Sequence, residues 1–203
     1  MRRPQDLSPD RMLLQASVAM ADRLERFLRD LDGGEGLLQA ARRAVADFVK
    51  RFREEGAESV VPPTLERLIR GFGLSFAERD LLLLAGLPEQ HEALASLLRA
   101  LHPRGEPRPT LALATQLLCT THEERLMLRA VLEEGAARRL QLLRTAPDDA
   151  PHPERSLLLM EGLWPALNGH AHWPAGLELR TGPWHREGLE EWLAAAPAQA
   201  AIR

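Results

Sequence analysis

Two runs of apolar and small residues near the start of the chain recur at alternating spacings of three and four. The first run consists of Leu14, Ser17, Ala21, Leu24, Leu28 and Leu31. The second run consists of Leu38, Ala41, Val45, Phe48 and Phe52. This spacing places each run on one side of an α-helix, and Gly33-Gly34 separates the two. The pattern therefore predicts an antiparallel helical hairpin over residues 1–60.

A new region is predicted to begin after Val60-Val61-Pro62-Pro63, because residues before proline avoid the helical conformation. Ser75 and Glu78 form a predicted capping box that starts a helix. That helix carries the leucine run Leu81 to Leu84, which we expect in the core, and Gly86-Leu87-Pro88 is expected to end it. The following helix is predicted over residues 92–101, and its expected core residues are Leu94, Leu97 and Leu98.

Two more helices and a β-hairpin are predicted to complete the region 61–168. Thr110 caps a helix that runs to Leu118, and a further capping box at Thr120 or Thr121 precedes a helix that ends at Glu134. The strands are predicted over 139–145 and 155–159, and a short helix over 161–167. Helices followed by a two-stranded hairpin are typical of a winged-helix domain. The predicted fold class is thus mainly α: a helical hairpin, a variant winged-helix domain with one small β-hairpin, and a tail over 169–203.

Composition narrows the class of protein. The 203 residues are 45% hydrophobic, which is enough to form a core, and the net charge of −3 provides no large field for nucleic acid or anionic lipid. The N-terminus lacks the pattern of a signal peptide, and no window of the sequence is apolar enough to span a membrane. A cytoplasmic protein without membrane partners is expected. Cys119, the single cysteine, is predicted to be a small buried residue rather than a nucleophile.

Motifs for catalysis are missing from the sequence. It contains no phosphate-binding GxxxxGK[ST], no GxSxG and no HExxH. His170 and His172 have a spacing that could begin a metal site on a strand, but no carboxylate or cysteine lies nearby in sequence, so polar surface positions are favoured. We therefore expect no catalytic residue, no cofactor-binding residue, no metal site and no enzymatic activity in this chain.

DNA binding is the natural alternative for a winged helix. By position, the predicted recognition helix is Thr110–Leu118, which carries no charge at all. The arginines that could contact phosphates are Arg104, Arg108, Arg138, Arg139 and Arg144. Acidic neighbours and the negative net charge oppose that role. Protein partners are expected instead, with nucleic acid disfavoured.

The tryptophans are confined to the last 40 residues, at Trp164, Trp173, Trp184 and Trp192. Such clustering is typical either of a small packing unit or of an aromatic contact surface, and both interpretations stay open. These four are our candidate partner contacts. If Trp184 and Trp192 serve that role, replacing both with alanine should weaken association while thermal stability stays nearly intact.

Part of the chain resembles a known family. Leu65–Gln90 and Arg108–Leu118 are similar to the region ahead of the ATPase core in AAA+ ATPases encoded beside bacterial contractile injection systems, the phage-tail-like particles. The matching positions are Gly73-Leu74-Ser75, Glu78-Arg79-Asp80, the run Leu81 to Leu84, and Pro109-Thr110. The resemblance covers roughly residues 62–168.

The resemblance implies a variant winged-helix domain that acts as a non-catalytic interaction and assembly module of an ATP-binding protein. Such a module docks partners or substrates for ATP-driven remodelling. ATP with magnesium, and homo-oligomerisation, are implied only through an ATPase module that would follow this sequence. No family catalytic residue transfers here, because this sequence contains no Walker motif. The alternatives are a DNA-binding winged helix and a stand-alone adaptor protein.

Overall fold

The fold is described by a computed structural model, which covers residues 9–30, 37–54, 63–147 and 149–170. The helices are α1 (Pro9–Asp30), α2 (Leu37–Glu54), α3 (Pro63–Phe72), α4 (Phe76–Gln90), α5 (Glu92–Leu101), α6 (Leu111–Leu118), α7 (His122–Glu134), α8 (Ala136–Arg139) and α9 (Leu163–Leu167). Strands β1 (Leu143–Thr145) and β2 (Leu157–Leu159) pair antiparallel, with a 3-10 turn at His152–Glu154 between them. The predicted class is confirmed: a helical hairpin precedes a winged-helix domain with one β-hairpin. None of the helices in the described ranges combines the length and apolar character that a membrane crossing requires.

The helical hairpin packs against the helices that follow it. α1 contacts both α2 and α4, and α2 contacts α5. Arg23 of α1 forms an ion pair with Asp80 of α4 at 3.1 Å. The Phe48 ring lies 5.1 Å from the His91 ring, between α2 and the start of α5. The division of the chain into 1–60, 61–168 and 169–203 stays a prediction, and these contacts join its first two parts.

Helix α4 lies at the centre of the fold, where it contacts α1, α5, α6, α7 and β2. Its leucines Leu81, Leu82, Leu83 and Leu84 are buried, as are Leu94, Leu97 and Leu98 of α5. These core predictions are confirmed. The predicted end of α4 at Gly86-Leu87-Pro88 is wrong, since the helix continues to Gln90 with Pro88 inside it. Proline near a helix end removes one hydrogen bond, and here the fully buried Leu87 holds the last turn in place.

The β-hairpin is shorter than the sequence predicts. Residue 139 ends α8, and Gln141 has a φ of 60°, so β1 begins only at Leu143. The predicted second strand likewise shrinks to residues 157–159. On its other side β2 is extended by an isolated bridge between Thr110 and Ser156. This bridge supplies a minimal third strand just before α6.

Two residues near the ends of the region 61–168 lie close together. The Thr64 hydroxyl at the start of α3 donates a hydrogen bond of 2.6 Å to the carbonyl oxygen of Leu167 at the end of α9. α3 and α9 also contact each other. The chain therefore enters and leaves this part of the fold at neighbouring points.

Candidate functional site

A helix-turn-helix is formed by α6, the turn at residues 119–121, and α7, and the β-hairpin follows it. In such a motif the second helix is the recognition helix. α7 holds that position, so the assignment of the recognition helix to Thr110–Leu118 is wrong. α6 is the first helix of the pair, and Leu111, Leu113 and Ala114 commit one side of it to the core.

The start of α7 is formed by a capping box between Thr121 and Glu124. The Glu124 backbone N–H donates to the Thr121 hydroxyl at 3.2 Å, and the Glu124 carboxylate accepts from the Thr121 backbone N–H at 3.0 Å. The Thr120 backbone N–H donates to the same carboxylate at 2.6 Å. These hydrogen bonds lower the pKa of Glu124, and the bond from the Thr120 backbone N–H has the largest effect. Leu128 and Leu132 then pack inward and hold the helix on the domain.

The outward surface of α7 is apolar and acidic. Leu126 and Met127 are each 56% exposed, and Ala130 one turn on is exposed as well. The whole helix carries four glutamates and two arginines, in addition to His122. Duplex phosphates would meet net negative charge on this helix, whereas recognition helices for DNA present basic and polar side chains. This surface suits contact with a protein.

The arginines that could contact phosphates are largely occupied. Arg104 and Arg108 both lie within ion-pair distance of Glu106, at 3.2 and 3.9 Å. Arg139 donates through its side chain to the carbonyl oxygen of Glu134 at 2.8 Å. Arg144 stands exposed on β1. Arg138 and Arg144 do come together, around a small pocket that the acidic Glu78 also lines.

Ser156, His102 and Glu106 form a cluster that sequence analysis missed. The backbone N–H of Arg104 donates to His102 Nδ1 at 3.0 Å, so the proton of the neutral ring is on Nε2, which faces the Ser156 hydroxyl at 2.9 Å. Ser156 in turn donates to Glu106 at 2.7 Å, and this bond lowers the pKa of Glu106. A nucleophilic serine needs the opposite arrangement, with histidine accepting its proton. Because Ser156 is also fully buried, the cluster ties the loop after α5 to the β-hairpin rather than performing catalysis.

A groove of about 280 Å³ lies between α6, α7 and the 3-10 turn. Residues of its lining include Leu111, Gln116, Arg125, Arg129, Leu132 and His152. The charged side chains of this lining, within the described residues, are both arginines. The groove is thus the positive side of an otherwise acidic recognition helix.

The Glu78-Arg79-Asp80 stretch, which carries the family resemblance, holds the fold together. Glu78 is buried, and its carboxylate accepts hydrogen bonds from the Ser75 backbone N–H and hydroxyl and from the backbone N–H of Ala137, the last at 2.7 Å. Burial by itself would raise the pKa of Glu78, but these bonds and the nearby charge of Arg139 bring it below the ordinary value. Asp80 accepts from both Arg79 and Arg23. The motif therefore joins α4 to α8 and α1.

The four tryptophans predicted as partner contacts fall into two groups. Trp164 is 4% exposed, and a Cβ added at Gly86 would lie within 2.5 Å of three of its ring atoms, so the ring packs directly on α4 and is a core side chain. The other three, Trp173, Trp184 and Trp192, lie outside the described residues, and their role stays a prediction.

The remaining candidate residues are one thiol and two histidines, of which Cys119 and His170 lie in the described part of the chain. Cys119 is buried, as its apolar surroundings predict, and burial raises the pKa of its thiol. His170 is exposed, and His172 lies outside the described residues. No group of three or more potential metal ligands comes together in the described part of the chain.

Comparison with known proteins agrees with this geometry. Searches of curated proteins and of solved structures found no significant match. A family model described as "Winged helix domain, variant" matches residues 32–161, a range that includes α2 and the whole helix-turn-helix. Winged-helix domains serve as DNA-binding or protein-interaction modules. Since the match spans more than half of the 203 residues, the chain belongs to the family of variant winged helix domains.

Proposed function

We propose that this domain is a protein-interaction module that docks a partner protein through the exposed face of α7. The observation that carries the proposal is the recognition helix itself, whose outer side presents Leu126, Met127 and Ala130 within an acidic frame of Glu123, Glu133 and Glu134. Apolar side chains at the centre of a contact with charges at its rim are typical of protein interfaces. The same charges disfavour a phosphate backbone.

The resemblance to AAA+ ATPases supports a finer proposal, that the module docks partners for ATP-driven remodelling beside a contractile injection system. Its support is confined to the matching positions from Gly73 to Leu84 and at Pro109-Thr110. Reading the genes adjacent to this one tests the context. Genes for phage-tail-like particle subunits, with an AAA+ module joined to or beside this sequence, support it, and a neighbourhood without either contradicts it.

Site-specific photo-cross-linking in the native host tests the docking face. A photoreactive amino acid is placed at Leu126 or Met127, and in control variants at the exposed positions Gln39 and Arg99, both outside α7. The expected result is one recurrent protein adduct from the two α7 positions and none of that mass from Gln39 or Arg99. Adducts to DNA at α7, or identical adducts at all four positions, would overturn the proposal.

A further inference from the structure

The groove between α6, α7 and the 3-10 turn differs in charge from the rest of the recognition helix. Arg125 and Arg129 are one helical turn apart, and both belong to the lining with His152. Side chains four residues apart on a helix lie about 5–6 Å from each other, close enough to grip one group together. The lining thus gathers positive charge in one small volume.

Both arginines retain guanidinium donors that no described residue uses. Arg125 forms no side-chain hydrogen bond or ion pair with another described residue, and Arg129 uses its Nε to bond Glu133 at 2.9 Å. Arg129 and Glu133 are 63% and 51% exposed, so their pair is weak and leaves the other guanidinium N–H groups available. Guanidinium groups with free donors bind carboxylates in a bidentate fashion.

The floor of the groove is apolar where Leu111 and Leu132 contribute to it, and Gln116 adds an amide at the edge. The volume of about 280 Å³ is at the lower end of the range for ligand pockets, which suits one or two side chains. A duplex is disfavoured here, because approach to α7 also brings phosphates against Glu123, Glu133 and Glu134.

We infer that this groove binds an acidic peptide segment of a partner protein, with an aspartate or glutamate carboxylate held between Arg125 and Arg129 and an adjacent apolar side chain over Leu111 and Leu132. The inference rests on the proposed docking function and names the chemistry of its partner. Charge complementarity selects this occupant, because Arg125 and Arg129 line the groove and none of the glutamates of α7 does, so a short acidic segment confined to the groove meets the two arginines.

The experiment uses the full chain and two fluorescein-labelled peptides of about ten residues, long enough to enter a groove as an extended segment. One peptide mixes glutamate and leucine, and the other carries glutamine in place of every glutamate. The Arg125→Gln/Arg129→Gln double variant removes the proposed site. Its matched control, Arg70→Gln/Arg99→Gln, removes the same charge from exposed positions outside the groove. Thermal unfolding of both variants checks that each is folded.

Fluorescence anisotropy should show that the glutamate peptide binds more tightly than its glutamine counterpart. The groove variant should weaken that binding about ten-fold, the size expected from one charge-assisted contact, and the control less than about two-fold. Equal binding of the two peptides, equal weakening by both variants, or no binding of the glutamate peptide overturns the inference. Tight binding of labelled duplex DNA that is lost in the groove variant reassigns the site to phosphate. If cross-linking at Leu126 gives protein adducts but the glutamate peptide does not bind the groove, the proposed docking function is supported and only the acidic-peptide site is overturned.

Discussion

The capping boxes of α4 and α7 use the same kinds of side chain in two different surroundings. In both, a hydroxyl residue accepts from the helix backbone and a glutamate three positions later accepts in return. Glu78 is buried and also accepts from Ala137, 59 residues further along the chain. Glu124 accepts hydrogen bonds from its neighbours Thr120 and Thr121. One box therefore starts a helix and connects the fold, and the other only starts a helix.

The bodies of the two helices differ in the same sense. The leucines of α4 are surrounded by five other elements, so their apolar surface is removed from water. α7 buries Leu128 and Leu132 and leaves Leu126 and Met127 largely in solvent. Two helices that begin with the same kind of capping box therefore have different roles: α4 stabilises the domain, and α7 presents a surface. Substitutions in the two helices should separate these roles.

The largest difference is expected between Leu82→Ala in α4 and Leu126→Ala in α7. Leu82 is fully buried, so its truncation leaves a cavity and should lower the free energy of unfolding by about 2–5 kcal/mol. Leu126 is 56% exposed, and its truncation should change the free energy by less than about 0.5 kcal/mol. Urea denaturation followed by circular dichroism measures both. Similar losses would show that α7 is as deeply committed to the core as α4.

A second effect is expected where α4 meets α9. A Cβ at Gly86 would lie 1.9 Å from Cζ3 of Trp164, so Gly86→Ala should force the ring to move and cost about 1–3 kcal/mol. Gly71 in α3 is the matched control, because nothing lies within 4 Å of its added Cβ. Gly71→Ala should be neutral or slightly stabilising. Trp164 fluorescence should report the displaced ring in the first variant, against the background of the other tryptophans. An unperturbed Gly86→Ala protein would contradict the packing of Trp164.

The two capping glutamates are compared by Glu78→Gln and Glu124→Gln. Both oxygens of Glu78 accept hydrogen bonds, so the amide NH₂ of glutamine must face a donor in a buried place, at a cost of about 1–3 kcal/mol. Glu124 is only partly buried, so water can satisfy the new amide, and its substitution should cost less. Thermal unfolding of the two variants shows which substitution lowers stability more. A larger loss for Glu124→Gln would contradict the connecting role of Glu78.

The pH dependence gives the smallest and most specific effect. The pKa of Glu78 is lowered in the folded state, so its contribution to stability is present above its ordinary value and is lost as pH falls through the lower folded value. Wild-type stability should therefore decline between about pH 5 and pH 3, and Glu78→Gln should show a shallower decline over that window. The pKa values of Glu106 and Glu124 are lowered as well, so part of the dependence of stability on pH remains in the variant. Parallel slopes would mean that Glu78 titrates alike in both states.

Local signals in the sequence predict most of the helices. Ser75 with Glu78, Thr110, and Thr121 with Glu124 each start a helix where the side chain suggests, since capping depends on residues only three apart. The signal at Pro88 misleads, because burial of Leu87 outweighs the local preference for an end. The start of β1 is missed because α8 is only four residues long, too short for its periodicity to differ from that of a strand.

The candidate site depends on distant pairings that no local signal shows. The third strand is one bridge between Thr110 and Ser156, and it separates α6 from the helices before it. No local signal predicts this bridge, so the sequence does not show that α6 is the first helix of the helix-turn-helix. The exposure of Leu126 and Met127 is likewise a tertiary result, because their spacing alone is compatible with a buried side.

The hydrogen bond between Thr64 and Leu167 has a mechanical consequence. A unit whose entry and exit lie side by side can be carried as a branch on a longer polypeptide, without separating the segments on either side of it. Tension applied between residues 64 and 167 would load the contacts of α3 with α9 first, and would reach α4 and α7 only after those contacts part. The recognition helix is in this way shielded from a force applied at these two residues.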